Sequence, residues 1–259
     1  PYDALNDIRN LEIPIIEGKR QGLTVVAGLV YSHSPVHTDE YYVRKARELV
    51  RLGVDGVFLK DPSGLLLPER VATLVPAVKR TIGELPLQLH MHCLSGLAPY
   101  TALQAVDHGV DVVHTATSTL ANGASHSPTE RFTENCRRRG HTVAIDLAPV
   151  HEAAERLAYI AEREGKPRGQ ALEFDEFHYH HQVPGGMISN LKYQLETLGI
   201  AGRLDEVLEE AGQVRADLGY PIVVSPFAQY IMTQSVLNVM GRTQGLARYE
   251  TVPDEVRLY

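Results

Sequence analysis

Four short apolar runs, each followed by an amphipathic stretch, limit what this chain can fold into. They are LTVVAGLVY (23–31), GVFLK (56–60), LQLHMH (87–92) and DVVHTATS (111–118). A recurrence of roughly 30 residues is the length of one βα unit. Nearly continuous apolar strands of this kind belong to parallel sheets covered on both faces. The stretches between them read as helices over about 38–52, 68–82, 99–108 and 127–139. Thr38-Asp39-Glu40 and Pro68-Glu69-Arg70 are good helix starts, and Gly53 and Gly109 are good stops. No GxGxxG or GKS follows any strand, which removes a nucleotide-binding Rossmann or P-loop reading. The expected fold class is therefore α/β, a (β/α)8 TIM barrel with its chemistry at the C-terminal ends of the strands.

A complete barrel of that kind takes about 200 residues or more. The four strands all lie before residue 120, and Asp3-Ala4-Leu5-Asn6-Asp7 reads as a loop just after a further strand. The expectation is the second half of a barrel over 1–145, then a C-terminal helical region over 146–259. In that region 146–164 reads as a long helix and 164–170 as a polar loop. Three further helices are expected over 187–198, 204–218 and 226–240, and 241–259 reads as a tail or the start of another element.

Composition narrows the function classes. A net charge of −7 argues against a nucleic-acid module, which shows a basic face. No apolar run approaches the ~20 residues of a membrane helix. The two cysteines, Cys93 and Cys136, form no CxxC and exclude a disulfide framework, so a reducing, cytoplasmic setting is expected.

The twelve histidines carry more information. His90 and His92 close the third strand, where a period of two places both on one face. There they are either a pair of metal ligands or two separately hydrogen-bonded imidazoles. Lys60 ends an apolar strand, and burying an ammonium requires a partner, a depressed pKa or a modification. Pairing with Asp61 or escape to solvent is the simpler account of it. His33 and His37 bracket a polar loop, and His178, His180 and His181 form a cluster with no other ligand type at fixed spacing. Ser189 reads as a first-turn hydroxyl after Gly185-Gly186.

Taken in order, several segments resemble the carboxyltransferase domain of biotin-dependent enzymes: pyruvate carboxylase, the oxaloacetate decarboxylase α subunit and the transcarboxylase 5S subunit. The segments are DALND (3–7), YSHSPVHT (31–38), LKDPSGLL (59–66), LHMHCLSG (89–96), HTATS (114–118), QVPGGMISNL (182–191) and VRADLGYP (214–221). The resemblance implies a barrel followed by helices and a divalent metal (zinc, manganese or cobalt) at the barrel mouth. By motif match it makes Lys60 a carbamylated ligand and His90 and His92 its partner ligands. It assigns the Ser189 hydroxyl to proton transfer, so that Lys60 and Ser189 also serve cofactor binding and catalysis.

The implied reaction moves a carboxyl group between carboxybiotin and a small 2-oxo acid of the pyruvate/oxaloacetate pair. Neither the family's D-x-x-x-R-D segment nor its L-R-G segment occurs here. The resemblance therefore implies a longer polypeptide or a chain supplying the first half of the barrel. No A-M-K-M biotin attachment sequence occurs either, so biotin is expected on a separate carrier domain or subunit. A homodimer is implied as well. Two other readings compete. One is a metal-dependent carbon–carbon lyase or aldolase like those cleaving 3-hydroxy-3-methylglutaryl-CoA, and the other is a noncatalytic scaffold subunit of a carboxylase complex.

Overall fold

The computed structural model describes residues 1–259 and forms two compact units, 1–175 and 176–259. The first holds one parallel sheet of four strands in sequential order: β1 (Val26–Val30), β2 (Gly56–Asp61), β3 (Leu87–Met91) and β4 (Val112–Val113). Around it run α1 (Glu12–Arg20), α2 (Asp39–Arg51), α3 (Pro68–Ile82), α4 (Ala98–Asp107), α5 (Thr129–Arg138) and α6 (Leu147–Arg163). This is the βα alternation expected of half a barrel.

The two faces of the sheet differ in chemistry. Val57, Leu59, Leu87 and Leu89 are fully buried, among the core residues Leu49, Leu74, Val78 and Ala102 from the helices. Burying each such side chain is worth roughly 1.5–3 kcal/mol. The alternate positions, Phe58, Lys60, Gln88 and His90, are only half-buried. Period two thus collects the polar groups of β2 and β3 on one face.

Helix ends follow their sequence signals. Thr38 Oγ1 accepts the Tyr41 N–H at the start of α2, and Asp146 accepts the Ala148 N–H at the start of α6. Ahead of α1, Asn6 takes a left-handed backbone (φ 58°). Its side-chain amide both donates to Val30 O (2.9 Å) and accepts from Val30 N (2.7 Å). It acts as a one-residue strand beside β1 and accounts physically for the DALND segment.

Three features depart from the sequence expectation. β4 spans two residues instead of running from 111 to 118, because the chain beyond it pairs with a later loop. There Ala116 N–H donates to Ser127 O and Thr129 N–H to Ala116 O. Beside β4 lies a groove of about 560 Å³ lined by Val113, Phe132, Cys136 and Ile145. Helix α1 was not legible in the pattern, since it contains Pro14 and Gly18 and buries only Ile15. Finally, α6 packs on Ser118–Leu120 and on α5, so it lies in the first compact unit and the units divide after Asp175 instead of after residue 145.

The second unit is helical: α7 (Phe177–His181), α8 (Gly185–Thr197), α9 (Leu204–Asp217), α10 (Phe227–Thr243) and α11 (Asp254–Arg257). The last three predicted helices correspond to α8, α9 and α10. Val183, Leu195, Val207, Ala211, Val214, Ile231 and Val239 form its dry centre. The buried Glu210 carboxylate accepts from Asn238 Nδ2 (2.8 Å), Arg242 (2.7 Å) and Arg248 (2.7 Å), tying α9 to α10 and the segment after it. Burying a carboxylate without such partners would be costly.

Candidate metal centre

At the C-terminal ends of β2 and β3 the structure brings Lys60, His90 and His92 together. Parallel pairing places Lys60 opposite His90. Lys60 Nζ lies 3.5 Å from His90 Nε2, and His90 Nε2 lies 3.2 Å from His92 Nε2. On its other side the Lys60 ammonium sits 5.1 Å from the Tyr2 ring centroid. Asp61 does not pair with Lys60. It is fully buried and accepts the backbone N–H groups of Leu65 (2.9 Å) and Leu66 (2.8 Å). That role organises the 62–66 loop. Burial pushes its carboxyl up to about 6 against these donors.

The loop after β2 presses directly on the strand carrying the histidines. Gly64 has φ +67°, and a Cβ there would lie 2.5 Å from His92 O. Only glycine permits both the left-handed backbone and this approach. His92 N–H donates to Asp61 O (3.0 Å), so the ends of β2 and β3 are stitched together at the site.

Hydrogen bonds settle the imidazole tautomers. Gln88 Oε1 accepts from His114 Nε2–H (3.0 Å), which leaves His114 Nδ1 as an acceptor for His90 Nδ1–H (3.0 Å). His92 Nδ1–H donates to Ala124 O (2.7 Å). His90 and His92 therefore both direct an unprotonated Nε2 into the same space. Two lone pairs facing each other at 3.2 Å form an arrangement that a shared divalent cation satisfies. Burial first, then the Lys60 charge and the neighbouring histidines, push His90 down to about 3. Burial and His126 push His92 down to about 4. Both rings are neutral at physiological pH. Burial also lowers the Lys60 amine below its ordinary value. The donor set fits a metal.

Two members of this cluster escaped sequence reasoning. His114 lies 24 residues from His90, and His126 joins His90 and His92 with one ring nitrogen of each within 4.8 Å of the others. Nothing in the local pattern around residue 126 signals this, since proximity arises only when the 122–127 loop folds back on β3. Ser189 belongs to the second compact unit. It is exposed in the first turns of α8, where its hydroxyl donates to Gly185 O at 3.4 Å. His178 and His181 are buried, and His181 Nδ1 accepts the Val183 N–H (3.0 Å), so the HYHH cluster is absorbed into packing and local hydrogen bonds.

Residues 179–259 match the conserved carboxylase domain family. The chain is 39% identical over 261 residues to a pyruvate carboxylase subunit of Methanocaldococcus jannaschii, covering 100% of this chain and 45% of that protein. It is 35% identical to the methylmalonyl-CoA carboxyltransferase 5S subunit of Propionibacterium freudenreichii subsp. shermanii, covering 92% of this chain and 47% of that one. The chain is thus similar over nearly its whole length to pyruvate carboxylase and carboxyltransferase subunits. It spans about half the length of the curated relatives it matches. The carboxyl transferase domain of Rhizobium etli pyruvate carboxylase, solved with pyruvate and biocytin, superposes with a TM-score of 0.88 at 24% identity. That match covers 98% of this chain and 44% of the other, and it establishes the carboxyltransferase fold. The sheet here has four strands, so closure into a barrel is not seen within this chain.

Proposed function

We propose that this chain forms part of the site at which a biotin-dependent enzyme moves a carboxyl group between carboxybiotin and a small 2-oxo acid of the pyruvate/oxaloacetate pair. The observation that carries this reading is the convergence of Lys60, His90 and His92 at adjacent strand ends in a chain with this similarity. The Lys60 amine, lowered by burial, is suited to add CO₂ with loss of a proton, giving a carbamate whose oxygens are hard metal ligands. Lys60, His90 and His92 would hold the divalent ion, which when bound supplies positive charge against a developing enolate oxygen.

In this reading the remaining chemistry is proton movement and positioning. Ser189 Oγ takes a proton from the pyruvate methyl group while its own hydroxyl proton passes to the biotin ureido nitrogen freed by release of CO₂. The enolate carbon then captures that CO₂ to give oxaloacetate, and a decarboxylase runs the same steps in reverse. Carboxybiotin arrives on a separate carrier domain or subunit. A homodimer in the cytoplasm completes the proposal, in keeping with two buried free cysteines. No helix is long and apolar enough to cross a membrane.

The test is carboxyl exchange by the full-length protein with pyruvate and added biotin. The expected result is biotin-dependent exchange that collapses in Ser189→Ala while metal content and fold persist. Turnover independent of biotin would instead favour the carbon–carbon lyase reading. Unchanged turnover in Ser189→Ala would remove that hydroxyl from the reaction.

A further inference from the structure

We propose that His126 is a third imidazole ligand of the same divalent ion, giving the site a three-histidine face that favours zinc or cobalt over manganese. This deepens the metal-site reading above and rests on it. The argument starts from the backbone. Asn122 and Gly123 are consecutive residues with positive φ (70° and 52°), and they reverse the chain after Ala121. The returning loop is pinned to the end of β3. Cys93 N–H is shared between Gly123 O (3.0 Å) and Ser125 O (2.9 Å), and Asn122 N–H donates to His126 O (2.8 Å). The His92 ring reinforces this by donating to Ala124 O (2.7 Å). The segment that carries His126 is thus held by the strand that carries the HxH pair.

The ring itself is oriented as a ligand would be. His126 Nδ1–H donates to Met91 O (2.9 Å), which makes Nε2 the lone-pair nitrogen of the neutral ring. A histidine that spends one N–H on a backbone carbonyl and presents its other nitrogen is the usual arrangement around bound metals. His90 and His92 are oriented in the same way, through His114 Nδ1 and Ala124 O respectively. The His126 ring centroid lies 4.3 Å from that of His90 and 4.8 Å from that of His92, edge to face with both. Ligand nitrogens of a tetrahedral zinc site, at 2.0–2.1 Å from the ion, stand about 3.3 Å apart. The 3.2 Å between His90 and His92 already meets this, and one ring nitrogen from each of the three lies within 4.8 Å of the others. Three imidazoles suit borderline ions such as zinc and cobalt, whereas manganese prefers oxygen ligands.

The experiment uses the full-length protein. X-ray absorption of the zinc-loaded wild type counts imidazole ligands: three support the proposal and two overturn it. Calorimetric titration with Zn²⁺ and Mn²⁺ then compares wild type with His126→Ala. At least a 100-fold loss of zinc affinity is expected, together with loss of the preference over manganese. Unchanged zinc affinity, and an unchanged Co²⁺ absorption spectrum, would overturn the proposal while leaving the Lys60, His90 and His92 reading intact. A wild type that binds no divalent ion would overturn both.

Discussion

Lys60 and His90 are register partners across β2 and β3, and their side chains meet at 3.5 Å on the polar face of the sheet. The pairing answers why a lysine ends an apolar strand. Its neighbours are an imidazole and the Tyr2 ring, whereas Asp61, the adjacent carboxylate, is turned away to cap a loop. Lys60→Ala should lower divalent-metal affinity at least 10-fold and abolish the carbamate carbon signal obtained with ¹³C-bicarbonate. Wild-type affinity in that variant would remove Lys60 from the ligand set.

His114 and Gln88 orient the His90 ring that would hold the metal. The Gln88 oxygen fixes the His114 tautomer, and His114 in turn fixes the Nδ1–H of His90. Disturbing such outer partners typically costs 10–100-fold in metal affinity. Gln88→Leu should fall in that range, with the thermal midpoint little changed because Gln88 is only half-buried. Equal zinc affinities for variant and wild type would show that the chain of hydrogen bonds does not hold His90.

The Gly64 backbone sets the spacing between the 62–66 loop and β3. Gly64→Ala must hold a left-handed backbone that alanine disfavours and also accommodate a Cβ 2.5 Å from His92 O. The conformational part alone costs roughly 1–2 kcal/mol. A total loss of about 2 kcal/mol or more is expected in urea unfolding, accompanied by weaker metal binding. A variant as stable as wild type would mean that the loop relaxes freely.

His181 should make folding pH-dependent. Burial, with His178 and His180 nearby, pushes its imidazole from 6.5 down to about 3. Its Nδ1 accepts the Val183 N–H, so protonation there also breaks a buried hydrogen bond. With a depressed folded pKa, the stability is fully present above pH 6.5. It is lost as pH falls toward 3, because the unfolded chain takes up the proton first. The contribution is on the order of 2–4 kcal/mol. Urea midpoints between pH 7 and pH 4 should fall more steeply in wild type than in His181→Leu, and equal slopes would count against it.

Much of this was legible along the chain. The βα recurrence located all four strands, and the period of two put His90 and His92 on one face because strand geometry leaves no alternative. The ordered segments also pointed to the carboxyltransferases that the chain resembles over nearly its whole length. Other features were decided by contacts between distant residues. The length of β4 depends on Ala116 pairing with a loop rather than with the strand beside it. The placement of α6 depends on its packing against Ser118–Leu120. His114 and His126 stand 24 and 36 residues from His90, beyond any local periodicity. They meet it only because parallel pairing aligns the ends of β3 and β4 and a tight turn at Asn122-Gly123 returns the chain to β3. The sequence by itself determined which strands exist and that His90 and His92 share a face, since both follow from local spacing. The tertiary structure alone decided which lone pairs converge, since that is a property of register and loop closure.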